Sequence, residues 1–289
     1  MAQVTAALVK QLREMTDSPM MECKKALVEA DGDIEKAVDV LRTMGLAKAV
    51  KRAGRDTNEG TIGCYISEDG KVGALVELTC ETDFVGTNGK FRGFANDLAK
   101  VVAENDPADL DAFKACPMGD NSTVEAELTE MIHVIGENMK INRFDRVVAD
   151  NGTLSAYVHH DGKHADIVVF EVTDLVAAAE EFRNFAHDVA MQIVASNPIA
   201  ATRDAIPDET IEHEKEIYRA QAAESGRPEK FWDGIINGRL KKFFQEFALV
   251  DQDFVKDPSM TITEYADKIA KNLGGEIKIV SFTRYNFGE

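Results

Sequence analysis

The residues with reactive side chains in this chain are few and scattered. Cys80 closes the apolar run "ALVELTC", and a thiol beside a histidine would make a nucleophile. A cysteine at a strand end is more often a packing residue. Cys23, Cys64, Cys80 and Cys116 have neither metal nor redox spacing. They read as small buried or half-buried side chains of a reducing compartment. His159, His160 and His164 lie close enough in sequence to raise a metal site. They bracket an Asp161-Gly162 turn, and on a strand His159 and His160 point to opposite faces. A similar turn at Asp69-Gly70 has no histidine near it, so the turn does not depend on them. No structural metal site is expected there; one exposed histidine meeting a partner is the better reading. Neither a phosphate-cradling glycine motif nor a Gly-x-Ser-x-Gly elbow occurs. A thiol or metal enzyme therefore ranks third among the readings, and no cofactor is expected.

The residue that stands out is Phe84, in "ELTCETDFVGTNGKFRGFA" (residues 77–95). Turns are usually polar, because a large apolar side chain there stays in water unless something covers it. Phe84 either folds back over the local core or waits for a partner, and the loop by itself leaves the two even.

These residues are positioned by an internal repeat. "GTIGCYISEDGKVGALVELTC" (60–80) matches "GTLSAYVHHDGKHADIVVFEV" (152–172), and "FRGFANDLA" (91–99) matches "FRNFAHDVA" (182–190). Each copy predicts a β-hairpin around Asp-Gly and then a helix. One helix carries Phe91, Phe94 and Leu98 on a face, the other Phe182, Phe185 and Val189. "NMKINRFDRVV" and "GEIKIVSFTRYNF" add a further β-rich run to each. The connection between hairpin and helix reads as divergent, with Asp174-Leu175 where the first copy has Asp83-Phe84.

Before the repeat, residues 1–54 predict three short helices. Leu8, Leu12 and Met15 recur at helical spacing in the first. Ser18 and Pro19 look like the N-cap and first position of the second. Asp33 caps the third, which carries Ile34, Val38 and Leu41 on one face and Gly45 as its stop. "LAKAVKRAGR" then predicts a solvated helical connector whose Lys48, Lys51, Arg52 and Arg55 offer, as the sharper alternative, a surface for an acidic partner. Within the second copy, "PDETIEHEKEIYRAQAAESGRPEKFWDGIINGRLKKFFQEFALV" predicts two helices broken at Gly226 and Pro228. Ile236, Leu240, Phe243 and Phe247 would face Ile211, Tyr218 and Ala222 in a projecting antiparallel coiled coil.

The expected fold is α+β: a three-helix module over 1–54, core subdomains over 55–149 and 150–289 with small antiparallel sheets, and a coiled-coil insertion at about 207–250. An apolar share of 44% suffices for real cores. A formal charge of −18 argues against nucleic acid as a partner and is read first as solubility. No apolar run is long enough for a bilayer and "MAQVTAALVKQLREM" is amphipathic, not a secretory signal, so a cytoplasmic location is expected.

In order and in residues the chain resembles bacterial elongation factor Ts, the guanine-nucleotide exchange factor of the GTPase elongation factor Tu. The resemblance rests on "MMECKKALVEADGDIEKAVDVLR", "ETDFV" (81–85), "IGEN" (135–138) and "GRLKKFFQEFALVDQDFVKDPS" (238–259). It implies a ubiquitin-associated-like N-terminal module, a duplicated α+β core and a coiled-coil insertion. It further implies that Thr82, Asp83, Phe84 and Val85 enter the GTPase beside its nucleotide, wedging near the bound magnesium so that GDP leaves. No covalent chemistry is involved. His159 matches a histidine of the family's hairpin and becomes a candidate partner contact, although His160 is adjacent. Two departures stand out. "TDSPMM" replaces a Gly-Ala-Gly-like turn, for which a changed turn and the same helix are expected. "RYNFGE" stands short of a C-terminal helical module found in some members, so any contact that module makes would be weaker or supplied elsewhere. The rival reading is a non-catalytic adaptor that binds proteins through the three-helix module and the coiled coil. A dimer or a two-by-two complex is left open.

Overall fold

The computed structural model describes residues 4–289, so the first three residues of the N-terminal module lie outside the described ones. The described chain forms two compact units, residues 4–63 with 76–144, and residues 64–75 with 145–287.

The first unit begins with helices α1 (Ala6–Thr16), α2 (Met20–Glu29) and α3 (Ile34–Arg52). They close on one core of Val9, Leu12, Cys23, Ala26, Leu27, Ala37 and Leu41. Asp33 caps α3 as its sequence implies, its carboxylate accepting from the Lys36 N–H. Two expectations fail here. Pro19, not Ser18, is the N-cap of α2: its carbonyl accepts from Glu22 and Cys23, while the Ser18 side chain is buried without a hydrogen-bond partner. A residue preceding proline is held out of the helical region, so the helix can start only beyond it. Gly45 does not stop α3 either. The helix runs on to Arg52 and absorbs the predicted connector, because "LAKAVK" is rich in helix formers. The glycine makes room instead: a Cβ there would lie 3.3 Å from the His133 side chain. Much of the connector's positive charge is used internally. Lys48 pairs with Glu22, Arg52 donates to the Ile132 carbonyl, and Arg55 pairs with Glu81.

Strands β1 (Glu59–Ile66), β2 (Val72–Cys80) and β3 (Met139–Val148) form a sheet in the order β1-β2-β3. Between β2 and β3 come α4 (Asp83–Gly86), α5 (Gly89–Asn105), α6 (Leu110–Ala115) and α7 (Val124–Ile135). Phe91, Phe94 and Leu98 are buried along one face of α5, as expected.

The second unit repeats the plan. Strands β4 (Gly152–Val158) and β5 (His164–Val172) are followed by α8 (Asp174–Ala177) and α9 (Glu180–Ser196). Next come α10 (Asp208–Glu224) and α11 (Trp232–Phe247), then the short pair β6 (Asp253–Phe254) and β7 (Asp257–Thr261). The unit ends with α12 (Ile262–Leu273) and β8 (Ile277–Asn286), and the sheet order is β4-β5-β8. The two Asp-Gly turns share their backbone bonds. Gly70 and Gly162 adopt positive φ, and Asp69 and Asp161 accept from the N–H two residues on. Phe182, Phe185 and Val189 are buried with Phe170 and Phe254. Gly226 follows α10 with positive φ, and a turn of 3₁₀ helix after Pro228 leads into α11. Ile236, Leu240 and Phe243 are buried on α11, and Ala222 on α10. Among the described residues no helix is long and apolar enough to cross a membrane.

One buried group opposes the stability of this unit. Asp166, on the central strand β5 opposite Tyr157 and Arg284, is fully buried, and neither carboxylate oxygen meets a hydrogen-bond partner. Burial holds its carboxyl well above the usual 3.8, against the attraction of the Arg284 charge. Above that usual value the unfolded chain has released a proton that the folded chain keeps, so stability is lost as pH rises toward the folded pKa. Asp166→Asn cannot ionise. Its stability relative to wild type should therefore grow with pH, by up to about 1.4 kcal/mol per unit between pH 4 and the folded value. Thermal unfolding of both proteins from pH 4 to 8 measures this; a constant difference would mean that the carboxylate is solvated or fully paired.

Candidate functional site

The turn after β2 is built by local hydrogen bonds. Thr82 is extended and its hydroxyl accepts from the Val85 N–H, which makes it the N-cap of α4. The Gly86 N–H donates to the Thr82 carbonyl, and the Thr87 hydroxyl to the carbonyls of Asp83 and Phe84. Asn88 then caps α5, accepting from Lys90 and Phe91, and Arg92 reaches back to the Gly86 carbonyl. Gly86 lies against the backbone of Gly60, where a Cβ would come 2.9 Å from the carbonyl oxygen. The turn is thus closed through the N–H groups of Val85, Gly86 and Thr87, with the Asp83 and Phe84 carbonyls as acceptors.

The side chains point the other way. Phe84 is 82% exposed and Asp83 is exposed, with Val85 half-buried beside them. Of the two readings of Phe84, folding back over the core is excluded. The expected divergence of the second copy is also corrected. Thr173 caps α8 as Thr82 caps α4, the Ala177 N–H donates to the Thr173 carbonyl, and Leu175 is 75% exposed. "TDFV" and "TDLV" encode one turn, since its bonds need only a capping threonine and backbone. The copies part company later, where Asn88 caps α5 and Ala179 makes no side-chain cap on α9.

Beneath the turn lies a set of polar residues to which the sequence assigns no role. Glu137 follows Gly136, the left-handed residue that ends α7. One oxygen of its carboxylate accepts from the backbone N–H groups of Glu81 (3.1 Å) and Thr82 (3.0 Å); the other accepts from the Thr82 hydroxyl (2.6 Å). Glu81 returns the bond, accepting from the Asn138 N–H at 2.6 Å and from Arg55. The Asn138 amide donates to the carbonyls of Ala53 and Arg55. The only trace of this in the sequence is that "ETDFV" and "IGEN" both belong to the family pattern.

The candidate nucleophile is closed to chemistry. Burial, with the Glu137 charge near it, pushes the Cys80 thiol up to about 12, so it stays protonated at neutral pH. Its sulfur donates to the Thr82 carbonyl. Cys64 is likewise pushed up to about 12, chiefly by burial.

The histidines differ from expectation in one respect. His159 and His160 lie beyond the end of β4, in the turn, so strand alternation does not apply and their rings meet at 4.2 Å. His159 is half-buried and its Nδ1 is 3.0 Å from the Tyr157 hydroxyl; His160 is the exposed one. His164 is bonded to Asn286. Among the described residues no group of three or more His, Cys, Asp or Glu side chains is arranged to hold a metal ion.

A family model described as "Elongation factor TS" matches residues 81–289, which include the capped turn, Glu137 and the whole second unit's helices. Elongation factor Ts of Clostridium botulinum (strain Eklund 17B / Type B) is 43% identical over 286 residues, covering 99% of this chain and 93% of the relative. That of Clostridium perfringens (strain SM101 / Type A) is 43% identical with the same coverage. That of Clostridium kluyveri (strain ATCC 8527) is 41% identical over 288 residues, again 99% of this chain and 93% of the relative. A chain matched at this level from end to end, and by a family model over most of its length, belongs to the elongation factor Ts family.

Proposed function

We propose that this protein is a translation elongation factor that binds the GDP form of the GTPase elongation factor Tu and promotes release of the nucleotide. The observation that carries the reading, beside family membership, is Phe84: an exposed aromatic ring on a turn capped by Thr82 and closed by backbone bonds from Gly86 and Thr87. A ring presented this way can enter an apolar crevice of the partner, and burying it is worth about 2–3 kcal/mol. That energy favours a partner conformation with displaced magnesium and phosphate contacts, a minor state in its absence. Thr82 shapes the turn, Phe84 fills the crevice, Val85 flanks it, and Asp83 brings a negative charge toward the metal and phosphates. Since the factor binds the nucleotide-free GTPase better than the loaded one, each ligand lowers the affinity of the other by the same factor. The protein needs no covalent chemistry for this.

The remaining parts have supporting places in the reading. The helices of residues 1–54 serve as a ubiquitin-associated-like module, residues 55–149 and 150–289 as the two core subdomains. The α10–α11 pair is a projecting coiled-coil hairpin, open to a dimer or two-by-two contact. His159 with His160 forms a second point of contact. The site of action is the cytoplasm. The adaptor reading is disfavoured by the family match.

Mixing the protein with elongation factor Tu loaded with a fluorescent GDP tests the proposal. Release should accelerate with the concentration of the factor. A rate that stays at its intrinsic value while the two proteins still bind would leave an adaptor instead.

A further inference from the structure

The internal repeat offers a control for the polar residues beneath the Phe84 turn. Both copies build the turn with the same bonds: the Gly86 and Ala177 N–H groups donate to Thr82 and Thr173, and those of Thr87 and Ala178 to Asp83 and Asp174. In both, the helix that ends beneath the turn stops at a left-handed glycine, Gly136 after α7 and Gly274 after α12. The next residue is Glu137 in the first copy and Gly275 in the second. The two positions correspond in space as well as in order. A Cβ on Gly275 would lie 2.5 Å from Val176 and 3.7 Å from the Thr173 hydroxyl, the counterpart of the hydroxyl that Glu137 accepts from. The residue before the capping threonine is Glu81 in one copy and the buried Val172 in the other. The second copy therefore holds the same turn on apolar contacts, with Val172 and Val176 in its core and, among the described residues, no carboxylate hydrogen-bonded to Thr173.

The turn itself thus does not require the carboxylates, and their presence under only one copy calls for another cause. We propose that Glu137 is a positioning residue, held in place by Glu81 and Asn138, that fixes the orientation of Asp83 and Phe84 for entry into the GTPase. The inference rests on the exchange-factor reading and names how its site is kept ready. Three bonds to an ionised acceptor are stronger and more directional than neutral ones. Two of them act on Thr82, whose hydroxyl both donates to Glu137 and accepts from Val85, so the cap and the brace share one atom. Asn138 extends the brace to the carbonyls of Ala53 and Arg55 just beyond α3. An apolar seat such as the second copy's holds a turn by non-directional contact and permits small rotations. A ring that must enter a crevice and displace a partner's helix loses rate if it has to be ordered at the moment of encounter.

Two readouts test this, one independent of the partner. In Glu137→Ala, amide hydrogen exchange of residues 82–88 should accelerate while that of α5 and β2 stays as in wild type. Stimulated GDP release at subsaturating factor should fall by roughly tenfold. Glu137→Gln should stay within about threefold of wild type in both, because its amide oxygen still accepts from both backbone groups and its NH₂ can meet the Thr82 hydroxyl. Glu137→Asp keeps the charge but loses reach, should behave like alanine, and replaces it if the alanine variant does not fold. Wild-type exchange at residues 82–88 in the alanine or aspartate variant would overturn the inference. So would a normal release rate in those variants while Asp83→Ala/Phe84→Ala is slow. If the Asp83→Ala/Phe84→Ala protein itself releases GDP at the wild-type rate, the exchange-factor site fails, and hydrogen exchange still decides the brace.

Discussion

Asp83→Ala together with Phe84→Ala should reduce stimulated GDP release by about 30- to 140-fold, taking the ring's burial at about 2–3 kcal/mol and a tenfold change for each 1.4 kcal/mol. The size follows from where the side chains are. Phe84 is 82% exposed and Asp83 is exposed, so the free protein gains almost nothing from either and the whole contribution of the ring appears in the complex. For the same reason the double variant should melt within about a degree of wild type, since surface substitutions of this kind stay within about 0.5 kcal/mol. Circular dichroism melts and the fluorescent-nucleotide assay on one preparation separate the two effects. A variant that melts normally and still releases GDP at the wild-type rate would remove residues 82–85 from the mechanism.

The second large effect is on stability. Gly63 lies in β1 where the strand meets α5, and a Cβ there would sit 2.0 Å from the carbonyl oxygen of Ala95 and 2.3 Å from its carbon. Both are backbone atoms of a buried stretch of helix, so no side-chain rotation relieves the clash. Gly63→Val must push α5 off the strand and loosen Phe91, Phe94 and Leu98, all buried on that face. The cost should be about 3–5 kcal/mol, which for a protein of this size lowers the melting temperature by roughly 5–8 °C. Gly93, on the same helix, is exposed and has nothing within 4 Å of its missing Cβ. Gly93→Ala should be neutral or stabilising by up to about 1 kcal/mol through helix propensity. Equal melting temperatures for the two variants would show that the strand–helix approach is looser than described. Because α5 follows directly on α4, Gly63→Val should also slow exchange; its loss of activity must be read beside its melting curve.

Much of the architecture is written locally. Period-two runs around Asp-Gly define both hairpins, and the Phe-Arg-x-Phe-Ala helices bury the faces their spacing names. These signals depend on residues within a few positions of one another, which is why they survive without tertiary information. The failures share a cause as well. Gly45 carries a helix-stop signal but serves to admit His133, a residue 88 positions further along the chain. Strand alternation misplaces His159 and His160 because the strand ends one residue earlier, a boundary set by the turn. The missing aromatic in "TDLVAAAEEF" suggests divergence, although hydroxyl capping by Thr173 carries the turn.

The repeat, the fold class, the family resemblance and Phe84 as the residue to explain are legible in the residue order, since each rests on local pattern or on the order of motifs. Only the tertiary structure decided that Phe84 faces out, that Asp166 is buried without a hydrogen bond, and that Glu81 and Glu137 exchange bonds beneath the turn. A glutamate in a sequence reads as a solvated charge, whatever its neighbours in the chain. Its role appears only when strands and helices more than fifty residues apart bring an N–H and a carboxylate within 3 Å, where direction matters.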